Sequence, residues 1–137
     1  MRTDNAMTKP LPIEHLHHVS RVTTQLEKAV EFYRDVLGFA EIPRPAFDFR
    51  GAWLFNYGLQ IHLIDKQTAG SGEDRINSRS NHIAFKTADL EAVERGLTER
   101  GITFQTSYQA GNRNVKQLFF QDPDGHHIEI GAYPPTA

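Results

Sequence analysis

The chain contains no cysteine, which excludes disulfides and thiolate metal ligands and leaves the redox compartment unreadable from cysteine usage. Any metal site must be assembled from His, Asp and Glu. No stretch of about eighteen apolar residues occurs, and Met1 to Pro12 holds no apolar run of signal-peptide length, so neither a membrane span nor a leader is expected and a cytoplasmic location is the default. A formal net charge of -2 over 137 residues, with no long basic stripe, gives no electrostatic footprint for nucleic acid or for an anionic membrane. Low-complexity tracts are absent as well. A small-molecule partner is the expectation that survives.

What the chain does have is an internal repeat. His18 and His82 are each followed eight residues later by a leucine that opens a short amphipathic helix, Leu26-Glu27-Lys28-Ala29-Val30 in one half and Leu90-Glu91-Ala92-Val93 in the other. Each helix closes on a glycine, Gly38 or Gly101. Each half continues into aromatic-rich strands that end on a polar residue between aliphatics, Ile61-His62-Leu63 and Ile128-Glu129-Ile130. Four side chains able to bind a metal thus occupy two pairs of equivalent positions.

Hydrophobic periodicity predicts the order βαβββ twice. Residues 1–12 read as a flexible arm. Strands are expected over His15 to Thr23, Phe39 to Ile42, Ala52 to Tyr57 and Leu59 to Asp65. A capping box at Thr24-x-x-Glu27 should open the first helix, whose buried stripe is Leu26, Ala29, Val30, Tyr33, Val36 and Leu37. Thr68 to Ser80 is polar and glycine-containing and reads as the connection between modules. The second module repeats the pattern: a strand over Asn81 to Lys86, a helix over Asp89 to Arg100, and strands near Thr103 to Tyr108, Val115 to Gln121 and His127 to Ala132. Asp122-Pro123-Asp124-Gly125 is a turn sequence. The fold class is α+β: one domain over 13–137, built of modules at about 13–67 and 80–133.

Alternate strand residues point to opposite faces. If Ile83, Phe85, Ile128 and Ile130 face a helix, then His82, His127 and Glu129 face away from it; likewise His18, Ser20, Gln60 and His62 oppose Val19, Ile61 and Leu63. Arg21 falls on the helix side, where it must snorkel or pair. Taken singly, His15, His17, His126 and His127 read as surface or hydrogen-bonded side chains. Taken together, His18, His82 and Glu129 form a two-histidine, one-carboxylate set that leaves coordination positions open, as catalytic metals require. His62 is either a fourth contact or a group orienting a ligand. The ligand set suits Ni, Zn, Co, Mn or Fe. Asn56, Gln117 and Phe119 are placed near the site by repeat equivalence and parity, whereas Trp53, Phe55 and Tyr57 read as packing.

Three segments carry a resemblance to a known group of proteins: His18-Val19 with Glu31-Phe32-Tyr33-Arg34-Asp35-Val36-Leu37-Gly38-Phe39; Asn81-His82-Ile83-Ala84-Phe85; and Phe120-Gln121-Asp122-Pro123-Asp124-Gly125-His126-His127-Ile128-Glu129. The chain resembles the vicinal oxygen chelate superfamily, which includes glyoxalase I, fosfomycin-resistance thiol transferases, extradiol dioxygenases and bleomycin-binding proteins. The stretch Phe47 to Gly58 with Ile61-His62-Leu63 is similar to a glyoxalase I-like subgroup. The resemblance implies a cup-shaped half-barrel, a divalent metal held by His18, His82 and Glu129, a homodimer, and a small substrate that chelates through neighbouring oxygens, a thiol conjugate among the candidates. Glu129 would be the catalytic residue, acting as ligand and base. His62 stands where glyoxalase I usually carries a glutamate. Alternatives within the same family are a fosfomycin-type thiol transferase, an extradiol dioxygenase and, without enzymatic activity, a bleomycin-type binding protein.

Overall fold

The computed structural model describes residues 9–66, 72–109 and 111–135. The arm residues 1–8, residues 67–71 of the connection between modules and the last two residues lie outside them. The elements follow in the order β1 (His18–Thr23), α1 (Leu26–Glu31) with a π-helical turn (Phe32–Val36), β2 (Ala40–Ile42), β3 (Gly51–Asn56), β4 (Leu59–Asp65), β5 (His82–Lys86), α2 (Leu90–Glu99), β6 (Gln105–Gln109), β7 (Asn112–Gln121) and β8 (His127–Gly131). They form two four-stranded mixed sheets of identical topology, β1-β4-β3-β2 and β5-β8-β7-β6, in which the first strand of each module lies parallel to the last.

Residues 15–17, expected within the first strand, are not part of it. The register pairs His18 with Gln60, one residue from the start of β4 at Leu59, and β4 itself emerges from the Tyr57–Gly58 turn, so residues 15 and 16 pass beyond the end of their only neighbouring strand. The expected capping box does not form either. Helix α1 begins on Gln25, which offers no side-chain cap. The Thr24 hydroxyl donates instead to Asp124 at 3.0 Å, and Glu27 is taken by Arg50. A tertiary partner one hundred residues away outcompetes the local bond. In α2 the local signal wins, and Asp89 accepts from the Ala92 N–H at 3.0 Å.

The π turn was not foreseen. Leu37 donates to the Phe32 carbonyl at 3.2 Å, and the extra residue in the turn changes the phase of the buried stripe. Phe32 joins Leu26, Ala29, Tyr33 and Leu37 in the core while Val36 stays at its margin. Gly38 then takes the left-handed conformation (φ 86°) that lets the chain leave the helix for β2.

The core is single and shared. Leu54, Ile61 and Leu63 of the first sheet pack in one cluster with Leu118, Phe120 and Ile128 of the second. Phe32 meets Phe120 at 6.2 Å between ring centroids, and Phe39 meets Phe85 at 6.0 Å. Both sheets therefore turn their helix-facing sides inward. Arg21, on that side, donates to the Ser20 carbonyl at 3.2 Å and keeps a buried Nε without a hydrogen-bond partner among the described residues.

A polar clasp closes the module junction. The buried Tyr33 hydroxyl donates to Asp122 at 2.7 Å, and Asp122 Oδ1 accepts from the backbone N–H groups of Asp124 and His126. Asp124 accepts from both the N–H and the hydroxyl of Thr24, and the His126 ring bonds the Val22 carbonyl at 2.9 Å. The Asp122-to-Gly125 turn of one module is thus built into the helix start of the other. Burial pushes the Asp122 carboxyl above the usual carboxylate range, while the Tyr33 hydroxyl and backbone donors pull it back. Tyr33→Phe should cost about 1–3 kcal/mol. Because the tyrosine O–H favours the ionised carboxylate, the loss should be larger at pH 7 than in acid, where Asp122 takes up its proton; urea unfolding at pH 7 and across the acid range measures both.

Candidate metal and substrate site

The second sheet presents a tight acid-base pair on the face away from the core. His82 Nε2 lies 2.9 Å from Glu129 Oε1, and the carboxylate side chain is 7% exposed. The other ring nitrogen of His82 is 2.7 Å from the Ser80 carbonyl. A carbonyl can only accept, so Nδ1 carries a hydrogen, and Nε2 faces the carboxylate either as a donor on a doubly protonated ring or with a lone pair free for a metal. The contact is complete when Nε2 carries a proton, and a metal cation could take that proton's place between the two groups. A carbonyl holding Nδ1–H is also the outer-shell arrangement that prepares a histidine to bind a metal through Nε2.

Glu129 is held from its second oxygen as well. Gln117 donates to Oε2 at 3.0 Å, and the Tyr133 hydroxyl donates to the same oxygen. Phe119 is buried and sets its ring edge-on to His82, 5.6 Å between centroids. The β7–β8 register, Phe119 opposite Glu129 and Gln117 opposite Gly131, puts these side chains on one face. Tyr133 was missing from the sequence reading, yet the same alternation that selects Glu129 continues through Gly131 to residue 133. Burial, then the Glu129 carboxylate, raise its phenol well above the ordinary value.

The first sheet presents a different object: a pile of rings. Trp53 and His62 stack at 4.2 Å with 6° between planes, and His62 and His18 stack at 4.0 Å with 12°. His62 is buried and its Nε2 is bonded to Gln60 at 2.8 Å; His18 Nδ1 meets His17 at 2.9 Å. In-plane lone pairs of two parallel rings run side by side and do not meet at one point. As stacked, His18 and His62 can offer a nitrogen each but not to the same cation. Burial, followed by the charges of His18, His17 and Arg44, holds His62 below the usual histidine range.

Asn56 belongs elsewhere. Its amide donates to the Gly38 carbonyl at 2.7 Å, and its strand parity matches the buried Ala52 and Leu54, so it ties β3 to the end of the first helix rather than lining the site. Tyr57 supports the same corner through the Leu37 carbonyl at 2.6 Å. Trp53, read from sequence as packing, is the base of the ring pile. His126 and His127 are buried and hydrogen-bonded, the latter to the Asn77 N–H at 2.8 Å.

The four donors do not converge in one chain: among the described residues no three His, Asp or Glu side chains surround a common point. A cavity of about 750 Å³, lined by Leu37, Phe85, Val93, Leu97 and Arg100 among others, lies under α2 and includes none of them.

A family model described as the Glyoxalase/Bleomycin resistance protein/Dioxygenase superfamily matches residues 15–130. The chain belongs to this superfamily. It is 40% identical over 131 residues to Glyoxylase I 4 of Arabidopsis thaliana, across 88% of this chain and 72% of that protein. It is 28% identical over 120 residues to the Metallothiol transferase FosB of Staphylococcus haemolyticus, across 86% and 83% of the two chains. The crystal structure of a glyoxalase/dioxygenase from Nostoc punctiforme matches with a TM-score of 0.73 at 21% identity, over 97% of this chain and all of that one, which shows the superfamily fold. Among the described residues no helix is long and apolar enough to cross a membrane.

The ring pile generates a prediction of its own. A histidine whose folded value is depressed resists protonation in the native state, so its contribution favours folding above the ordinary histidine pKa and is lost as pH falls through the depressed value. The His62 imidazole, followed by NMR, should titrate below 6.5. Trp53→Ala, which uncovers the ring, should move that midpoint upward; an unchanged midpoint would show that desolvation by the stack is not its cause.

Proposed function

We propose that the protein is a cytoplasmic, divalent-metal-dependent enzyme of glyoxalase I type, acting as a homodimer on a small substrate that offers two neighbouring oxygens. The observation that carries this reading is the His82–Glu129 pair: an imidazole nitrogen and a buried carboxylate 2.9 Å apart, with the far histidine nitrogen tied to a carbonyl. The Arabidopsis relative, 40% identical and named Glyoxylase I 4, supports the branch of the family.

The donor chemistry suits Ni, Zn, Co, Mn or Fe, but one chain does not bring the set together. The shared core explains why: it turns the ring face of the first sheet and the acid face of the second outward, away from each other. A second copy resolves this if its first sheet covers the second sheet of the other, giving two equivalent cups per dimer, each with His18 from one chain and His82 with Glu129 from the other. His62 would contribute a nitrogen only by leaving its stack, and otherwise positions His18 from behind. A divalent ion held there would supply Lewis-acid stabilisation of negative charge developing on the substrate oxygens. Glu129 would move the proton, its Oε2 aligned by Gln117 and Tyr133.

Removal of His18 or of His82 should each abolish stoichiometric metal binding. The two defective variants, unfolded and refolded together, should recover about a quarter of wild-type metal content, since half of randomly formed dimers are mixed and each holds one intact cup of two. No recovery on mixing would place both histidines in the same chain's site. The reaction itself is read with the methylglyoxal–glutathione hemithioacetal in the presence of Ni, Zn or Co; absence of turnover with every metal, alongside retained metal binding, would move the assignment to another activity of the superfamily. The FosB relative, at 28% identity, makes thiol consumption with fosfomycin the next reaction to assay.

A further inference from the structure

The open face of the first sheet carries more than the histidines. Beyond Trp53 the pile continues into the segment before β3: Phe47 lies 6.1 Å from Trp53, and Phe47 and Phe49 stack at 5.2 Å with 22° between planes. These two rings are 46% and 44% exposed. The Arg44 guanidinium sits against both, 4.8 Å and 5.0 Å from the ring centroids, and spends one donor on the Phe49 carbonyl at 2.9 Å. It makes no ion pair among the described residues, and its charge is felt at His62.

Asp48 joins Arg44, Phe47 and Phe49 around one surface pocket but makes no ion pair with the guanidinium among the described residues, and the strand register gives the rest of the face. The positions sharing the face of Trp53 are Ala40 and Ile42 on β2, Gly51 and Phe55 on β3, Gln60, His62 and Ile64 on β4, and His18, Ser20 and Val22 on β1. None is a carboxylate. The face therefore combines flat, half-exposed π surface with a guanidinium that no strand residue neutralises. A carboxylate pairs with guanidinium in a planar, two-bonded fork, and a ring attached to it would lie against Phe47 and the edge of Trp53, where offset and edge-on contacts add to burial.

We propose that Arg44, Phe47 and Trp53 form a recognition site for a planar aromatic carboxylate, of which an aryl 2-oxo acid is the simplest form that also offers neighbouring oxygens. The site deepens the reading given above by naming the substrate class, and rests on it only in treating this face as the inner wall of the cup. Recognition itself needs neither metal nor partner, because all three residues belong to one module of one chain.

Trp53 is the chain's single tryptophan, so its indole N–H gives one resonance that reports occupancy directly. Chelator-treated protein is titrated with benzoylformate, which has ring and carboxylate, with pyruvate, which lacks the ring, and with acetophenone, which lacks the charge. Benzoylformate should shift the indole signal saturably and bind at least about tenfold more tightly than either fragment. Arg44→Gln should remove the advantage over acetophenone, and Phe47→Ala the advantage over pyruvate, with the rest of the spectrum unchanged. Equal binding of the three probes, no saturable shift, or full benzoylformate affinity in folded Arg44→Gln would each overturn the proposal. Such a failure leaves the metal-binding and subunit-mixing results untouched, and a failure of those leaves this titration interpretable.

Discussion

The arrangement depends on one shared apolar core. Because Leu54, Ile61 and Leu63 pack in the same cluster as Leu118, Phe120 and Ile128, the two sheets spend their helix-facing sides on each other's module. Their remaining faces are then committed to the outside. The Tyr33–Asp122 bond and the Asp124 contacts to Thr24 lock the module junction at the polar edge of that core. Chemistry and packing are separated by strand parity alone: every other residue serves the core, and the residues between them serve the site.

The two outward faces have complementary characters. One is acidic and closely hydrogen-bonded: Glu129 has His82 on one oxygen and Gln117 with Tyr133 on the other, which fixes its direction. The other is nitrogen-rich and aromatic, with Trp53, His62 and His18 stacked and Arg44 beside them. Placed against one another in two copies, they would supply the imidazole, the carboxylate and a hydrophobic wall to a single concavity. That complementarity is the physical basis of the functional reading.

Much of this was legible in the sequence, for identifiable reasons. A period-two pattern separates Ile128 and Ile130 from Glu129 without ambiguity, and the repeat from His18 to His82 exposes the symmetric modules, so both sheets and the pairing of His82 with Glu129 could be anticipated. The misreadings have local causes. Thr24 and Glu27 satisfy a capping pattern, but Asp124 and Arg50, distant in sequence, claim them. Val36 falls back to the margin of the core where a π turn shifts the helix phase after Phe32, which no helical periodicity foretells. Asn56 shares the repeat position expected of a cup residue, yet its parity places it against Gly38. Arg44 and Phe47 lie in an irregular segment where no alternation applies, and their meeting with Trp53 exists only in three dimensions.

The central claim is that one site is made from two chains. A crystal soaked with Ni²⁺ and measured at the nickel absorption edge tests it most directly. The account predicts one anomalous peak per chain, within bonding distance of His82 and Glu129 from one copy and His18 from another. A peak bound by residues 18, 82 and 129 of the same copy, or no peak at Glu129 at all, would contradict it.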